Sequence, residues 1–123
     1  MGTFIASFLI AATLLSGSVA FASVNTDPAV SAPNIYRISA YDVRNHYYDV
    51  RRGQRVKIEL SGDTYTNLDL YIYDANGYLI DAKLGRTDYE ISNINVFADT
   101  TLTVKVVNRG GDYNDYDLSV WVV

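Results

Sequence analysis

The segment NLDLYIYDANG, residues 67–77, carries the clearest signal for the fold. Leu68, Leu70 and Ile72 alternate with polar or aromatic residues, which is the period of two expected for a β-strand with one buried face. The segment ends in Asn76-Gly77, a dipeptide typical of hairpins because a tight primed turn needs positive φ at both central positions. We therefore predict a strand, a tight turn and a returning strand over 78–83.

The same alternation recurs on both sides of this hairpin. Short apolar runs bounded by Gly, Asn and Asp predict further strands at 36–41, 48–50, 56–60, 102–107 and 116–122. A less regular segment around 89–91 is predicted as one more strand. No stretch has a convincing helical period. Six to eight short strands separated by turn signals indicate an all-β fold, an antiparallel β-sandwich that is jelly-roll-like.

The N-terminal region has the features of a leader. Residues 4–22 are uncharged and apolar and end in Ala-Phe-Ala, the small-x-small pattern that signal peptidase accepts. We predict a signal peptide over 1–22, a flexible linker over 23–34 that holds both prolines, and a β-sandwich domain over 35–123. The protein is then secreted, periplasmic or held at the cell surface. The alternative is an uncleaved leader that anchors it in a membrane, since about 19 apolar residues can span a bilayer.

Composition excludes several classes of function. A net charge of −4 argues against a nucleic-acid partner, because phosphate contacts need clustered Lys and Arg. The absence of cysteine excludes disulfides and thiolate metal sites. Eleven tyrosines against four phenylalanines favour strands and hydrated recognition surfaces.

The order of four motifs resembles a known bacterial family. HYYDVRRGQRVKIELSG is followed by NLDLYIYDANG, LTVKVVN and DYNDYDLSVWV, and the resemblance extends over about residues 35–122. This succession resembles the pre-peptidase C-terminal domain, a small β-sandwich often appended to secreted proteases and related to collagenase collagen-binding domains. The resemblance implies a non-catalytic module that assists secretion or binds an extracellular matrix or polymer.

Aromatic residues are the candidate ligand-binding groups. If the alternating aliphatic residues point inward, then Tyr71, Tyr73 and Trp121 point outward. Tyr and Trp on a flat sheet face are suited to stacking on sugar rings or on polypeptide. The alternative interpretation is that they form cross-strand aromatic pairs that stabilise the sheet.

Other candidate groups are polar. The oxygen-rich run Asp112, Asn114, Asp115 and Asp117 fits Ca²⁺, although an ordinary solvated turn also explains it. No other cofactor is implied. Asp69 is interpreted as an acid on an outer face that needs no special partner. His46, the single histidine, is interpreted as a surface residue at the start of a strand.

Catalysis is not indicated. No Gly-x-Ser-x-Gly elbow and no acid pair in a recognisable pocket appear, so a small hydrolase is the least favoured function. We predict an exported, non-enzymatic binding or accessory module that contacts an extracellular protein or polysaccharide through an aromatic sheet face. Its partner could be a secreted protease or another exported enzyme. The alternative is a self-assembling cell-surface or filament subunit.

Overall fold

The computed structural model describes residues 21–22, 34–63 and 66–123, and this part of the chain contains strands and no helix. The strands are β1 (Phe21–Ala22), β2 (Ile35–Ile38), β3 (Val43–Val50), β4 (Arg55–Gly62), β5 (Leu68–Tyr73), β6 (Leu79–Lys83), β7 (Tyr89–Asn95), β8 (Thr100–Asn108) and β9 (Asn114–Val122). Apart from β1 and residue 34, the predicted signal peptide over 1–22 and linker over 23–34 lie outside the described residues. No helix long and apolar enough to cross a membrane occurs in the described ranges.

The strands form two sheets packed face to face. The first sheet has the order β1-β3-β8-β5-β6, and the second has the order β2-β9-β4-β7. Every pairing is antiparallel except that of the two-residue β1, which runs parallel to β3. The predicted all-β class and antiparallel β-sandwich are therefore confirmed.

The core lies between the two sheets and is built by the alternation seen in the sequence. Val56, Ile58 and Leu60 from β4 face Leu68 and Leu70 from β5, and each of these side chains is 0% exposed. Burying an aliphatic side chain of this size contributes about 1.5–3 kcal/mol to folding. The apolar half of each strand thus accounts for the sandwich without disulfides.

The Asn-Gly hairpin forms, but its turn differs from the predicted one. Of the two residues in the Asn76-Gly77 dipeptide, Gly77 alone has positive φ, at 86°, whereas a primed turn needs positive φ at Asn76 as well. The Gly77 amide donates to the Asp74 carbonyl (3.0 Å) and the Asp74 amide donates to the Tyr78 carbonyl (3.0 Å). The loop therefore has three residues and a left-handed glycine, and the register of β5 and β6 shifts between Ile72 and Tyr73.

The irregular segment near residue 89 is a full strand. β7 spans seven residues, longer than the predicted 89–91. Its alternation is hidden in the sequence because a buried inner position is polar: Ser92 is 0% exposed and donates a hydrogen bond to Asp81 on β6. A satisfied polar group can occupy a core position that a hydrophobicity pattern assigns to an apolar residue.

Candidate binding surface

The predicted aromatic residues lie on two different faces. Tyr71 and Tyr73 are on the outer face of the first sheet, opposite the buried Leu70 and Ile72. Trp121 is on the outer face of the second sheet, on the far side of the sandwich. A single aromatic face that holds all three residues is therefore not formed. The sequence pattern shows which side of a strand a residue occupies, but not which sheet the strand joins.

Contacts within the protein engage these rings. Tyr71 and Tyr73 stack with centroids 6.4 Å apart and an interplanar angle of 14°. Lys105 Nζ lies 5.5 Å from the Tyr71 ring centroid, and Arg109 Nη2 donates to the Tyr71 hydroxyl (3.0 Å). Lys57 Nζ lies 5.2 Å from the Trp121 ring. All three aromatic residues are half-buried, which agrees with a stabilising role, and ligand binding by these residues stays a prediction.

The predicted calcium ligands are not gathered into one set. Asn114 is buried, donates to Thr66 Oγ1 (2.8 Å) and accepts a bond from the Asp63 amide (3.0 Å). Asp115 accepts two bonds of 2.7 Å from Arg37, and this pairing lowers the pKa of the Asp115 carboxyl.

The two remaining predicted ligands lie apart from Asn114. Asp112 is exposed in the loop, and Asp117 is on the outer face of the second sheet. Across the described ranges, no three His, Cys, Asp or Glu residues are arranged to hold a metal. Calcium binding stays a prediction that these positions do not favour.

His46 lies in the interior, which corrects its interpretation as a surface residue. It is 6% exposed, and its Nε2 lies 2.6 Å from the Tyr116 hydroxyl oxygen. Tyr36 packs edge-on against the imidazole with centroids 4.4 Å apart. Burial, and then the positive charge of Arg44, lower the pKa of His46 to about 4. The ring is therefore neutral at physiological pH and serves as a core residue.

Asp69 is also buried, although the sequence indicates a solvated acid. It is 5% exposed, and its Oδ2 accepts a bond of 2.8 Å from Arg109 Nε. This hydrogen bond is the largest cause of the raised pKa of the Arg109 guanidinium. Arg109 comes 40 positions later in the chain, so strand alternation alone could not reveal the pair.

Three connections meet at one end of the sandwich and form what we term the apical surface, comprising residues 51–54, 74–78 and 96–99. Backbone bonds join the first and third of them: the Gly53 amide donates to the Val96 carbonyl (2.8 Å), and the Val96 amide donates to the Gln54 carbonyl (2.9 Å). The Arg52 amide donates to Asp99 Oδ1 (2.9 Å). These bonds hold the loop over 96–99 in a fixed position against its neighbour.

Phe97 projects from this loop and is 83% exposed, more than any other large hydrophobic residue in the described part of the chain. Beside it is a cleft of about 310 Å³, the Phe97 cleft, with an apolar floor that includes Ile80, Ile94 and Leu102. Tyr78 is 71% exposed in the neighbouring hairpin loop, whereas Leu79 pairs with Tyr73 and lies toward the outer face of the first sheet. A large exposed apolar residue beside an apolar cleft is a candidate interaction site.

Phe97 is not among the contact residues predicted above, although the sequence carries a signal for it. Ile94 and Val96 occupy inner positions of the alternation, so the next residue must point outward. Asp99 marks the end of the connection, where polar residues are the norm. An outward phenylalanine in such a short connection is unusual enough to identify it as a candidate contact.

No protein-family model and no curated protein matches the sequence. Solved structures do share the fold. One is PliG from Aeromonas hydrophila, a periplasmic lysozyme inhibitor of g-type lysozyme, with a TM-score of 0.63 and 14% identity over 85% of this chain and 97% of that chain. Another is the pre-peptidase C-terminal domain of a Bacillus anthracis collagenase, with a TM-score of 0.61 and 9% identity over 86% and 99%.

A third similar structure is PliG from Salmonella Typhimurium, with a TM-score of 0.54 and 17% identity over 84% of this chain and 97% of that chain. The predicted resemblance to the pre-peptidase C-terminal domain is thus supported at the level of the fold, and PliG shares that fold equally well. Identities between 9% and 17% show a common architecture alone.

Proposed function

We propose that the protein is an exported, non-enzymatic binding module that contacts a protein partner through the apical surface, with Phe97 as the main anchor. The observation that carries this proposal is the 83% exposure of Phe97 on a loop that backbone hydrogen bonds already hold in place. A loop that is ordered before binding loses little conformational freedom on association. A phenylalanine presented in this way suits a pocket on another protein, where aromatic anchors contribute most of the binding energy.

The ionisable groups support a binding role over a catalytic one. The buried His46 contacts Tyr116, and the buried Asp69 pairs with Arg109. Both are therefore committed to the fold, and neither lines the clefts of the apical surface. The acids that do line the Phe97 cleft, Asp74 and Asp99, each accept backbone hydrogen bonds through Oδ1, and we propose that they serve in binding rather than as a general acid or base.

The structural neighbours support a partner class and a location. The PliG structures are described as periplasmic inhibitors of g-type lysozyme, a protein partner met outside the cytoplasm. The predicted signal peptide over 1–22 fits the same compartment. We therefore propose an exported enzyme as the partner, with a g-type lysozyme as the first to be tested.

Inhibition of a g-type lysozyme tests this proposal. Lysis of a cell-wall suspension would be followed while the full chain is added as wild type, as Phe97→Ala, or as Leu84→Ala. Leu84 is a matched control, because it is 57% exposed but follows β6 at the opposite end of the sandwich. Loss of an anchor worth about 2 kcal/mol or more should weaken inhibition by Phe97→Ala about 30-fold, while Leu84→Ala behaves as wild type.

Two results in this assay would count against the proposal. Equal inhibition by Phe97→Ala and wild type would exclude Phe97 as the anchor. Weakening by Tyr71→Ala, Tyr73→Ala or Trp121→Ala, with none by Phe97→Ala, would instead assign the contact to a sheet face, as the sequence predicts.

Self-assembly is the alternative function. It requires oligomers in size-exclusion chromatography whose size grows with concentration. A monomer at all concentrations would count against assembly.

A further inference from the structure

The Phe97 cleft combines an apolar floor with an acidic rim. Ile80, Ile94 and Leu102 line its interior, and Asp74 and Asp99 stand among its lining residues. Among the residues that the structure describes, no lysine or arginine lines this cleft. A volume of about 310 Å³ has room for one long side chain from a partner. The cleft thus differs from its neighbours on the apical surface, which Arg51 and Arg52 line.

The two carboxylates are held in place and retain capacity for a ligand. Asp74 Oδ1 accepts bonds from the Asn76 amide (2.9 Å) and the Tyr78 amide (3.0 Å). Asp99 Oδ1 accepts a bond from the Arg52 amide (2.9 Å). Both acids use Oδ1 for these contacts with the described residues, which leaves each Oδ2 available to a cation.

From this geometry we infer that the Phe97 cleft receives a lysine or arginine side chain of the partner protein. Such a side chain has an aliphatic stem that packs on apolar surface and a charged head that needs a counter-ion. The stem would lie between Ile80 and Phe97, which are 41% and 83% exposed, and the head would reach Asp74 or Asp99. Phe97 at the edge offers its ring to the same cation.

Charge decides between this occupant and an apolar one. A leucine or phenylalanine in the cleft would displace water from two carboxylates without replacing their hydrogen bonds, which is unfavourable. The whole chain carries a net charge of −4, so a basic partner is also attracted over long range. The inference rests on the proposed function for the existence of a protein partner, but its chemistry can be tested without one.

A peptide titration followed by NMR provides this test. The uniformly ¹⁵N-labelled full chain would be titrated with three capped tripeptides, Gly-X-Gly, in which X is arginine, citrulline or leucine. Citrulline has nearly the shape of arginine and lacks its charge. We expect saturable shifts of the Ile80, Phe97 and Asp99 amides with the arginine peptide, with half-saturation on the order of millimolar, as is usual for a single side chain.

Charge variants complete the test. Asp74→Asn and Asp99→Asn keep an oxygen that accepts the same backbone bonds, and each should weaken binding of the arginine peptide roughly two- to fivefold. Asp112→Asn is the matched control, because Asp112 also accepts a backbone bond through Oδ1 but lies at the other end of the sandwich. This control should bind as wild type.

The outcomes separate the inference from the proposed function. Equal binding of the arginine and citrulline peptides, stronger binding of the leucine peptide, or shifts confined to other surfaces would each overturn the inference. Phe97→Ala could still abolish lysozyme inhibition in those cases, so the proposed function would stand. If the arginine peptide binds the cleft but Phe97→Ala inhibits as wild type does, the basic-residue site stands and the proposed anchor falls.

Discussion

Replacing the buried His46 should change the pH dependence of stability. The imidazole is 6% exposed, and burial lowers its pKa to about 4 from an ordinary value of 6.5. Between these two values the unfolded chain binds a proton at His46 and the folded protein does not. Stability therefore rises with pH across this window and is lost as the pH falls toward the folded pKa. His46→Gln removes the titrating group and keeps a side chain that can hydrogen-bond to Tyr116.

The magnitude follows from the two pKa values. One pKa unit corresponds to about 1.4 kcal/mol. Lowering the pH from above the unfolded pKa of His46 to below its folded pKa would therefore lower the free energy of unfolding by roughly 3 kcal/mol. At about pH 5 the unfolded imidazole is almost fully protonated and the folded one is almost fully neutral. The free energy of unfolding of the wild type should then fall by about 2 kcal/mol more than that of His46→Gln on going from about pH 7 to about pH 5.

Urea unfolding followed by tyrosine fluorescence at the two pH values measures this difference. The carboxylates titrate in both proteins, so comparison of the two pH dependences cancels their contribution. His46→Phe provides a second non-titrating variant if the glutamine is poorly tolerated in the core. Parallel pH dependences for wild type and both variants would refute the neutral, buried imidazole.

Three further predictions concern the rest of the sandwich. Arg109→Ala leaves the buried Asp69 without its ionic partner and should lower the free energy of unfolding by about 1–3 kcal/mol. Arg109→Lys should recover part of this loss. A loss below experimental error would show that water replaces the guanidinium. Gly62→Ala should destabilise by about 1–3 kcal/mol, because its Cβ would lie against Asp88 Oδ2 and 2.7 Å from the side-chain amide atoms of Asn114, and Ser61→Ala serves as control. Equal urea midpoints would mean that the Asp88 and Asn114 side chains move aside. Thermal melts in excess Ca²⁺ and in EDTA should give the same Tm, because Asn114 is buried and Asp115 is paired with Arg37. A higher Tm with Ca²⁺ would support the predicted calcium site.

The strands could be predicted from the sequence because their information is local. The alternation of Leu68, Leu70 and Ile72 predicts a strand with one buried face within six residues. The same alternation in the other strands is sufficient to predict a sandwich. The hairpin position was also correct, since Gly77 does adopt positive φ. Its turn type was not, because Asp74 binds the Asn76 and Tyr78 amides through its side chain and stabilises a longer loop.

Apart from Phe97, which the alternation of Ile94 and Val96 places outward, the candidate site could not be predicted, because it depends on relations between distant segments. Tyr73 and Trp121 have the same local pattern, yet their strands belong to different sheets. Asp69 and His46 look exposed in sequence because their partners, Arg109 and Tyr116, lie far along the chain. The apical surface likewise exists only once three connections meet at one end of the sandwich, where hydrogen bonds join residues 51–54 to residues 96–99.

The most direct test of the apical surface as the contact site is photo-crosslinking in cells that make the protein. A photoreactive phenylalanine analogue, p-benzoylphenylalanine, would be placed in separate variants at position 97 on the apical surface and at positions 73 and 121 on the two sheet faces. We predict a discrete adduct of higher mass on irradiation for position 97 and none for positions 73 and 121. Adducts from either sheet-face position, with none from position 97, would contradict the assignment of binding to Phe97 and the apical surface.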